Sequence, residues 1–435
     1  MNPFASDSAK TSSRTGTISV LDIGSSKICC IIARLKPCGD GQMLHGRTHK
    51  PQVIGIGHQR ARGIKSGVVI DLEKAEQAIR LAVDAAERMA GVTIDSLVVN
   101  ISAGRQQSGV VSAEVDLGGH SVDRADIKRV LSAGARQVMA AERQIVHALP
   151  NGYVLDGERG IKDPMGMVGD RLGLDIHVLT ADSAPIRNLE LCVNRCHLSV
   201  EAMVAGGYAS GLSTLVEDEM EMGAACIDIG GGTTSIAIFH EGSFVYAASV
   251  PVGGNHVTMD LARGLSTRLD EAERLKVMFG SALNSATDDH DLVNVAPIGD
   301  DPNDPGQQIP RTIMTRIVRA RVEETLEMVR DKLVKSGYSN VFGRRIVLTG
   351  GGSQLPGLPE TARRILARSV RLGRPLGVAG LPEAAKGPSF ATAVGLMVYP
   401  QIAGSESAIF KSQYGRRGGA TGRIARVGQW LRDSF

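Results

Sequence analysis

Aromatic side chains are scarce in this chain: one Trp, six Tyr and eight Phe, 3% of 435 residues. A core with so few rings has to be built from small and branched aliphatics, and 52 glycines supply many tight strand-to-helix turns, which points to an α/β protein. No apolar run reaches the ~18 residues that a spanning helix needs. The opening MNPFASDSAKTSSRTG lacks the apolar core of a signal peptide, so the expectation is a protein made and kept in the cytoplasm. None of the six cysteines (Cys29, Cys30, Cys38, Cys192, Cys196, Cys226) forms a C-x-x-C pair, which argues against a zinc ribbon. They read as small core residues in a reducing compartment, with Cys192 and Cys196 one turn apart on a helix. Net charge is only +3, and six basic residues against one acid fall within 411–435. The other 410 residues therefore hold 43 basic against 45 acidic side chains. A faintly acidic body argues against a nucleic-acid footprint, and the basic end points to a tail that meets an anionic partner.

What is present is long enough for more than one domain. After a Ser/Thr-rich leader, 1–15, ISVLDIG and KICCIIA read as a hairpin, followed by the strands VIGIG and VVI. Asp71–Met89 is helical, with Leu72, Ala75, Ile79, Ala82 and Val83 on one face, and LVVNIS is a buried strand. Residues 100–177 read as an inserted α+β unit: a strand pair in GVVSAEVDL, a helix through Ile127, Val130, Leu131, Val138 and Met139, and a final strand LDIHVLTA. A helix from Ser183, the strand VEAMVA and a helix ending near Val216 follow. At Ala224 the opening theme returns as ACIDIGGGTTSIAIF, placing Asp228-Ile-Gly230 206 residues after Asp22-Ile-Gly24. This reads as an internal duplication of one α/β domain. A polar loop over 280–310 precedes a long helix to Lys335; RRIVLTGGGSQLPGL then reads as strand, glycine turn and helix. After Pro400 the chain turns Gly/Ser/Arg-rich, as a flexible linker does.

Three turns carry the chemistry. Asp22-Ile-Gly24-Ser25-Ser26-Lys27 exposes successive backbone N–H groups as an anion nest. Asp22 is placed to hold a Mg²⁺-bound water, and Lys27 to neutralise a phosphate. In Asp228-Ile-Gly230-Gly231-Gly232-Thr233-Thr234 three glycines admit a phosphate without Cβ clashes, and two threonines add hydroxyl donors; Asp228 takes the metal-water role of Asp22. Leu348-Thr-Gly350-Gly351-Gly352-Ser-Gln leaves a strand and opens a helix, a place where a base or ribose can lie against backbone. It matches neither the P-loop nor the G-x-G-x-x-G pattern.

The last residues place Ile424, Val427, Leu431 and Phe435 on one helical face, with Arg423 and Arg432 flanking it, Trp430 at its edge and Arg426 opposite. That is the pattern of a helix lying in a membrane surface. Four or five partly buried apolar side chains contribute roughly 5 kcal/mol. Each arginine near anionic lipid adds about 1 kcal/mol, and ordering the helix takes back several. One tail would bind weakly, and many tails on one filament tightly.

Two D-I-G turns and a third glycine turn, in that order, resemble the actin/Hsp70/sugar-kinase superfamily and, within it, the FtsA family of bacterial cell-division proteins. Glu217–Gly223, Pro251–Thr258, Asp270–Lys276 and Phe390–Gly395 are runs typical of that family. The resemblance implies duplicated actin-like (ribonuclease-H-like) domains around a nucleotide cleft, an inserted α+β subdomain and a C-terminal amphipathic helix. It divides the chain into subdomains 16–99 plus 178–210, the insert 100–177, 211–258 plus 338–400, and 259–337, then a linker 401–422 and a membrane helix 423–435. It implies ATP and Mg²⁺ as cofactors, with Glu273 and Lys276 contacting ribose or adenine and Gly350–Gly352 backing the adenosine. No carboxylate occurs in Val204–Ser210, where Hsp70-like proteins place a water-positioning acid, so slow hydrolysis is expected. Further implications are self-assembly into filaments, attachment of FtsZ through its C-terminal peptide on 259–337, and contacts of the insert with later division proteins, all at the cytoplasmic side of the inner membrane at the septum. Arg311, Arg316 and Arg319 are the candidate surface for the peptide. A small-molecule kinase and a pilus-assembly adaptor on the same fold are the alternatives; the terminal helix speaks against both.

Overall fold

The computed structural model describes residues 16–37, 47–138, 143–286, 288–298, 306–343 and 345–403. The leader 1–15, the linker beyond residue 403 and the helix expected over 423–435, with Ile424, Val427, Trp430, Leu431, Phe435 and its arginines, lie outside the described residues.

The first lobe begins with the hairpin β1 (Thr17–Ile23) and β2 (Lys27–Pro37), joined by β3 (His49–Arg60). A minimal pair, β4 (Ile64–Lys65) and β5 (Val68–Val69), leads into α1 (Leu72–Ala90). Asp71 caps α1 by accepting from Lys74 N, and Gly91 ends it in a left-handed conformation. β6 (Ser96–Ile101) then enters the sheet. The insert comprises β7 (Gln107–Asp116), α2 (Arg124–Val138), β8 (Gln144–Leu155), β9 (Glu158–Ile161) and β10 (Arg171–Ala181). Its sheet, in the order β7-β10-β8-β9, encloses a core of its own. GVVSAEVDL forms a single strand as far as Asp116, within β7, rather than a pair, and the closing strand LDIHVLTA starts earlier, at Arg171. The chain returns through α3 (Ser183–Arg195), β11 (Ser199–Ala205) and α4 (Gly206–Thr214).

The second lobe repeats the plan. After α5 (Glu217–Met222) come β12 (Ala224–Ile229), β13 (Thr234–His240) and β14 (Ser243–Val250). Helices α6 (Gly254–Gly264) and α7 (Leu269–Phe279) follow. The stretch expected to be loop contains a small hairpin, β15 (Leu292–Val295) with β16 (Gln307–Pro310). β15 alternates exposed with buried residues but β16 does not, and four-residue strands are too short to stand out as a pattern. α8 (Arg311–Lys335), β17 (Arg345–Thr349), a 3-10 turn (Gly351–Gln354), α9 (Leu358–Leu366), β18 (Ser369–Leu372) and α10 (Ala391–Ile402) complete it.

The two five-stranded sheets share one topology. Their orders are β3-β2-β1-β6-β11 and β14-β13-β12-β17-β18. In each, the first three strands pair antiparallel and the last two join in parallel. Both sheets are buried on both faces, which is why their strands read as nearly unbroken apolar runs. Alternate residues divide between two cores. Leu21, Ile23, Ile28 and Cys30 pack with α1 and α3, whereas Ile18, Val20, Cys29 and Ile31 share a core with α4, α10 and the underside of β12 and β13. The outer face of the second sheet packs with α6, α8 and α9.

Thus α4 and α10 lie in the core common to both lobes. They come close enough that a Cβ built on Gly395 would sit 1.7 Å from Ala209 O. Four of the few rings, Tyr208, Phe239, Phe244 and Tyr399, gather with His147 and His177 where the insert meets both lobes; Tyr208 stacks on Phe244 at 4.3 Å. Burial, reinforced by His147, pushes the His177 pKa down to about 3. The insert also meets the edge strand β14 directly, where Ala247 N donates to Ser108 Oγ (3.0 Å).

Candidate functional site

The duplication brings the three turns to one place. In the first lobe the last paired residues before the turn are Ile23 and Ile28; in the second they are Ile229 and Thr234. Each pairing leaves four residues to turn the chain. Both turns close alike: Gly24 N donates to Lys27 O (3.0 Å) and Gly230 N to Thr233 O (2.9 Å). The tips face each other across the interface between the lobes. A Cβ on Gly231 would stand 3.0 Å from Ser26 Oγ, and one on Gly232 2.5 Å from Ser25 Oγ. Turn one, turn two and their serines are therefore one cluster. Ser25 Oγ also accepts from Gly67 N (3.0 Å).

The third turn abuts the second. Gly350 has φ +83°, and a Cβ there would fall 2.1 Å from Asp228 Oδ1; one on Gly352 would fall 2.6 Å from Ile229 Cγ2. Gly351 is freer, with Ser389 Cβ 3.6 Å from its built Cβ. The N-terminus of α6 completes the wall behind turn two, with Gly254 N donating to Gly230 O (2.9 Å) and Asn255 N to Gly231 O (2.8 Å).

Two carboxylates and one ammonium lie at the centre. Asp22 Oδ1 accepts from Asn100 Nδ2 (2.8 Å), and Asn100 Oδ1 accepts from Ile23 N (2.7 Å), so Asn100 holds both the side chain and the end of β1. Burial raises the Asp22 pKa to about 7; Lys27 opposes the rise and Asp228 adds to it. Asp228 Oδ2 accepts from Ser210 Oγ and from Thr392 Oγ1 (3.0 Å), and those hydroxyls lie 2.9 Å apart. Its carboxyl is also raised, by burial first, against the pull of Ser210, Thr392 and Lys27. Lys27 Nζ is buried, donates to no acceptor among the described residues and sits 3.2 Å from the centroid of the Phe390 ring. Burial lowers its pKa, with Asp22 the first of the groups opposing this. A buried ammonium without an acceptor, beside two backbone turns, is chemically a receptor for an anion.

Glu273 and Lys276 lie one helical turn apart on α7 and face α6. Lys276 Nζ donates to Glu273 Oε2 (2.6 Å), Thr258 Oγ1 (2.9 Å) and Gly254 O (3.2 Å), so the pair stands directly behind turn two. Thr234 departs from expectation. It lies within β13, fully buried, and gives its hydroxyl to Val252 O (2.8 Å) instead of to the cleft. Of the arginines proposed on α8, Arg311 spends its guanidinium on Phe279 O (3.0 Å), with Asp288 at 3.7 Å. Arg319 pairs with Glu323 (2.8 Å), and Arg316 is exposed. The sequence reading missed Asn100, Ser210, Thr392 and Phe390. Asn100, Ser210 and Thr392 are single polar residues in buried elements and Phe390 is one more apolar residue, so nothing in the local sequence marks them.

Two lobes of one topology, joined over crossing helices and lined by three glycine turns, are an actin-like arrangement. A solved structure titled "PilM-PilN type IV pilus biogenesis complex" shares the fold, with a TM-score of 0.60 at 15% identity, covering 88% of this chain and 98% of that one. A family model described as "Cell division protein FtsA" matches residues 225–395, and one described as "SHS2 domain inserted in FTSA" matches 104–180, the insert. The "Cell division protein FtsA" of Rhizobium meliloti (strain 1021) is 60% identical over 424 residues, 98% of this chain and 96% of the relative. That of Escherichia coli (strain K12) is 32% identical over 425 residues, 95% and 97%. The chain belongs to the FtsA family of bacterial cell-division proteins.

Proposed function

We propose that this chain is a nucleotide-dependent anchor: it binds ATP with Mg²⁺ between its lobes, assembles into filaments, and ties FtsZ to the cytoplasmic face of the inner membrane at the septum. The observation that carries the nucleotide reading is Lys27, a buried ammonium without a hydrogen-bond acceptor among the described residues, where two glycine turns meet. Gly24, Ser25, Ser26, Lys27 and Gly230–Thr233 would hold the phosphates. Asp22 and Asp228 would each hold a water of the metal ion, whose charge would keep both carboxyls ionised. Glu273, Lys276 and Gly350–Gly352 would receive ribose and base. The metal would neutralise phosphate charge. The protein's own part is to fix the turns, which Asn100, Ser210 and Thr392 do through the two carboxylates. In place of an acid near the phosphates, α4 presents Ser210, already committed to Asp228. That fits binding with slow turnover.

Asp228→Ala removes a metal-water ligand, and Gly231→Val puts a side chain where phosphate should approach. Fluorescent ATP should fail to bind either variant while their circular dichroism stays native; unchanged affinity in both would refute the cleft. Membrane attachment is read from residues 423–435, and Leu431→Glu should release the protein from anionic vesicles without altering ATP binding, because the linker separates tail from body. Trp430, the only tryptophan, reports the same event: its emission should shift to the blue in the wild type on adding vesicles. For FtsZ, support comes from family membership and from the exposed Arg316 on α8; the insert is the surface offered to later division proteins.

A further inference from the structure

The outer end of the β2–β3 hairpin carries three cations that no carboxylate among the described residues neutralises. In the antiparallel register Lys36 stands opposite Lys50 and Arg34 opposite Gln52. Arg34, Lys36 and Lys50 therefore share one face of the hairpin, while Leu35 and Pro51, between them in sequence, turn inward and are buried. All three cations are exposed, and none pairs with a carboxylate among the described residues. Like charges directly opposite across a strand pair disfavour the hairpin. A face built that way gains from a negative surface laid against it.

The path of the chain says which surface. Gln401, near the end of α10, accepts from Thr48 N (3.1 Å) and His49 N (3.0 Å) through its Oε1, which pins the chain's exit next to Lys50. From that corner residues 404–422 lead to the amphipathic segment. Its Gly/Ser/Arg-rich sequence reads as a linker, and a linker of that length has a root-mean-square span of about 25 Å. Whatever surface holds the segment is thereby held close to Arg34, Lys36 and Lys50.

We propose that this corner is a second contact with the anionic membrane, resting on the reading of residues 423–435 as a membrane helix. The tail supplies the attachment, and the three cations set which way the body faces. β2 runs from Lys27 in the cleft to Pro37 at the corner, about 35 Å of strand. With the corner against the lipid headgroups, the cleft lies at the end of β2 away from the membrane.

The test uses the full chain, sedimented at low salt with phosphatidylcholine vesicles, with or without phosphatidylglycerol. Arg34→Gln, Lys36→Gln and Lys50→Gln together should weaken binding to the anionic vesicles about tenfold or more, and added salt should close the gap. A control triple, Arg124→Gln, Lys128→Gln and Arg136→Gln on α2 of the insert, loses the same charge and should bind within about twofold of wild type if contact, and not net charge, matters. The hairpin triple should melt no lower than wild type, since it removes a like-charge pair. Equal binding of the hairpin triple and wild type, or equal loss in the two triples, would overturn the proposal. Leu431→Glu separates the two readings. If it binds like wild type while the hairpin triple does not, the tail reading fails and the corner contact stands; if it alone loses binding, the corner contact fails and the tail reading stands.

Discussion

Asp22, Asp228 and Lys27 are buried together, and the ligand-free fold bears the cost of desolvating them. The cost has a sign that pH can expose. Asp22 titrates near 3.8 in the unfolded chain and about 7 in the folded one. Between those values the folded protein holds a proton that the unfolded one has released. Its contribution to stability is therefore full below about pH 4 and falls as pH rises towards 7. Asp22→Asn removes that dependence. In thermal melts without nucleotide, the melting-temperature advantage of Asp22→Asn over wild type should widen from pH 4 to pH 7; a constant difference would mean that Asp22 ionises freely in the fold. The same variant should bind nucleotide poorly, so stability and function move in opposite directions at one residue.

Among the elements, α4 and α10 are the most tightly constrained. Gly395→Val would drive a branched side chain into the backbone at Ala209, where even a Cβ has no room. Overpacking of this kind costs about 1–3 kcal/mol or more, and the helices that share the core of both lobes have nowhere to retreat. The variant should lower the denaturant midpoint sharply or fail to accumulate, whereas Gly109→Ala, in open space on β7, should lose far less. Elements of this kind also show where the sequence was readable. The two D-I-G turns were visible because the duplication repeats them 206 residues apart, and α1 and α8 because their apolar faces are long and periodic. The hairpin of β15 and β16 was not, since four-residue strands among polar loops carry too little pattern. Asn100, Ser210 and Thr392 were invisible for another reason. A single polar residue in a buried strand or helix looks the same whether it satisfies itself locally or reaches a carboxylate from a strand elsewhere in the chain, and only the assembled sheets bring the two together.

For the molecule as a whole, the shared core decides how the chain must be made. Both parallel additions to the first sheet, β6 and β11, are in place by Ala205. Yet one face of that sheet, through Ile18, Val20, Cys29 and Ile31, packs with Ala393, Val394, Leu396 and Met397 of α10. A ribosome adding about 5–20 residues per second needs roughly 10–40 s to travel from the end of β11 to the start of α10. Until then only α4 and the near faces of β12 and β13 can cover that sheet, and the part left open is the kind of surface that chaperones hold and that drives aggregation when they do not. A chain ended at Phe390 should therefore collect in inclusion bodies when expressed alone, and soluble, cooperatively melting material from it would show that each lobe completes its own core. Since α10 spans Ala391–Ile402, the body can close only after both lobes have emerged and residue 402 has followed them. Synthesis thus fixes an order of assembly: the first lobe waits, half-covered, for a helix encoded almost two hundred residues downstream, and the two lobes become one body in a single late step.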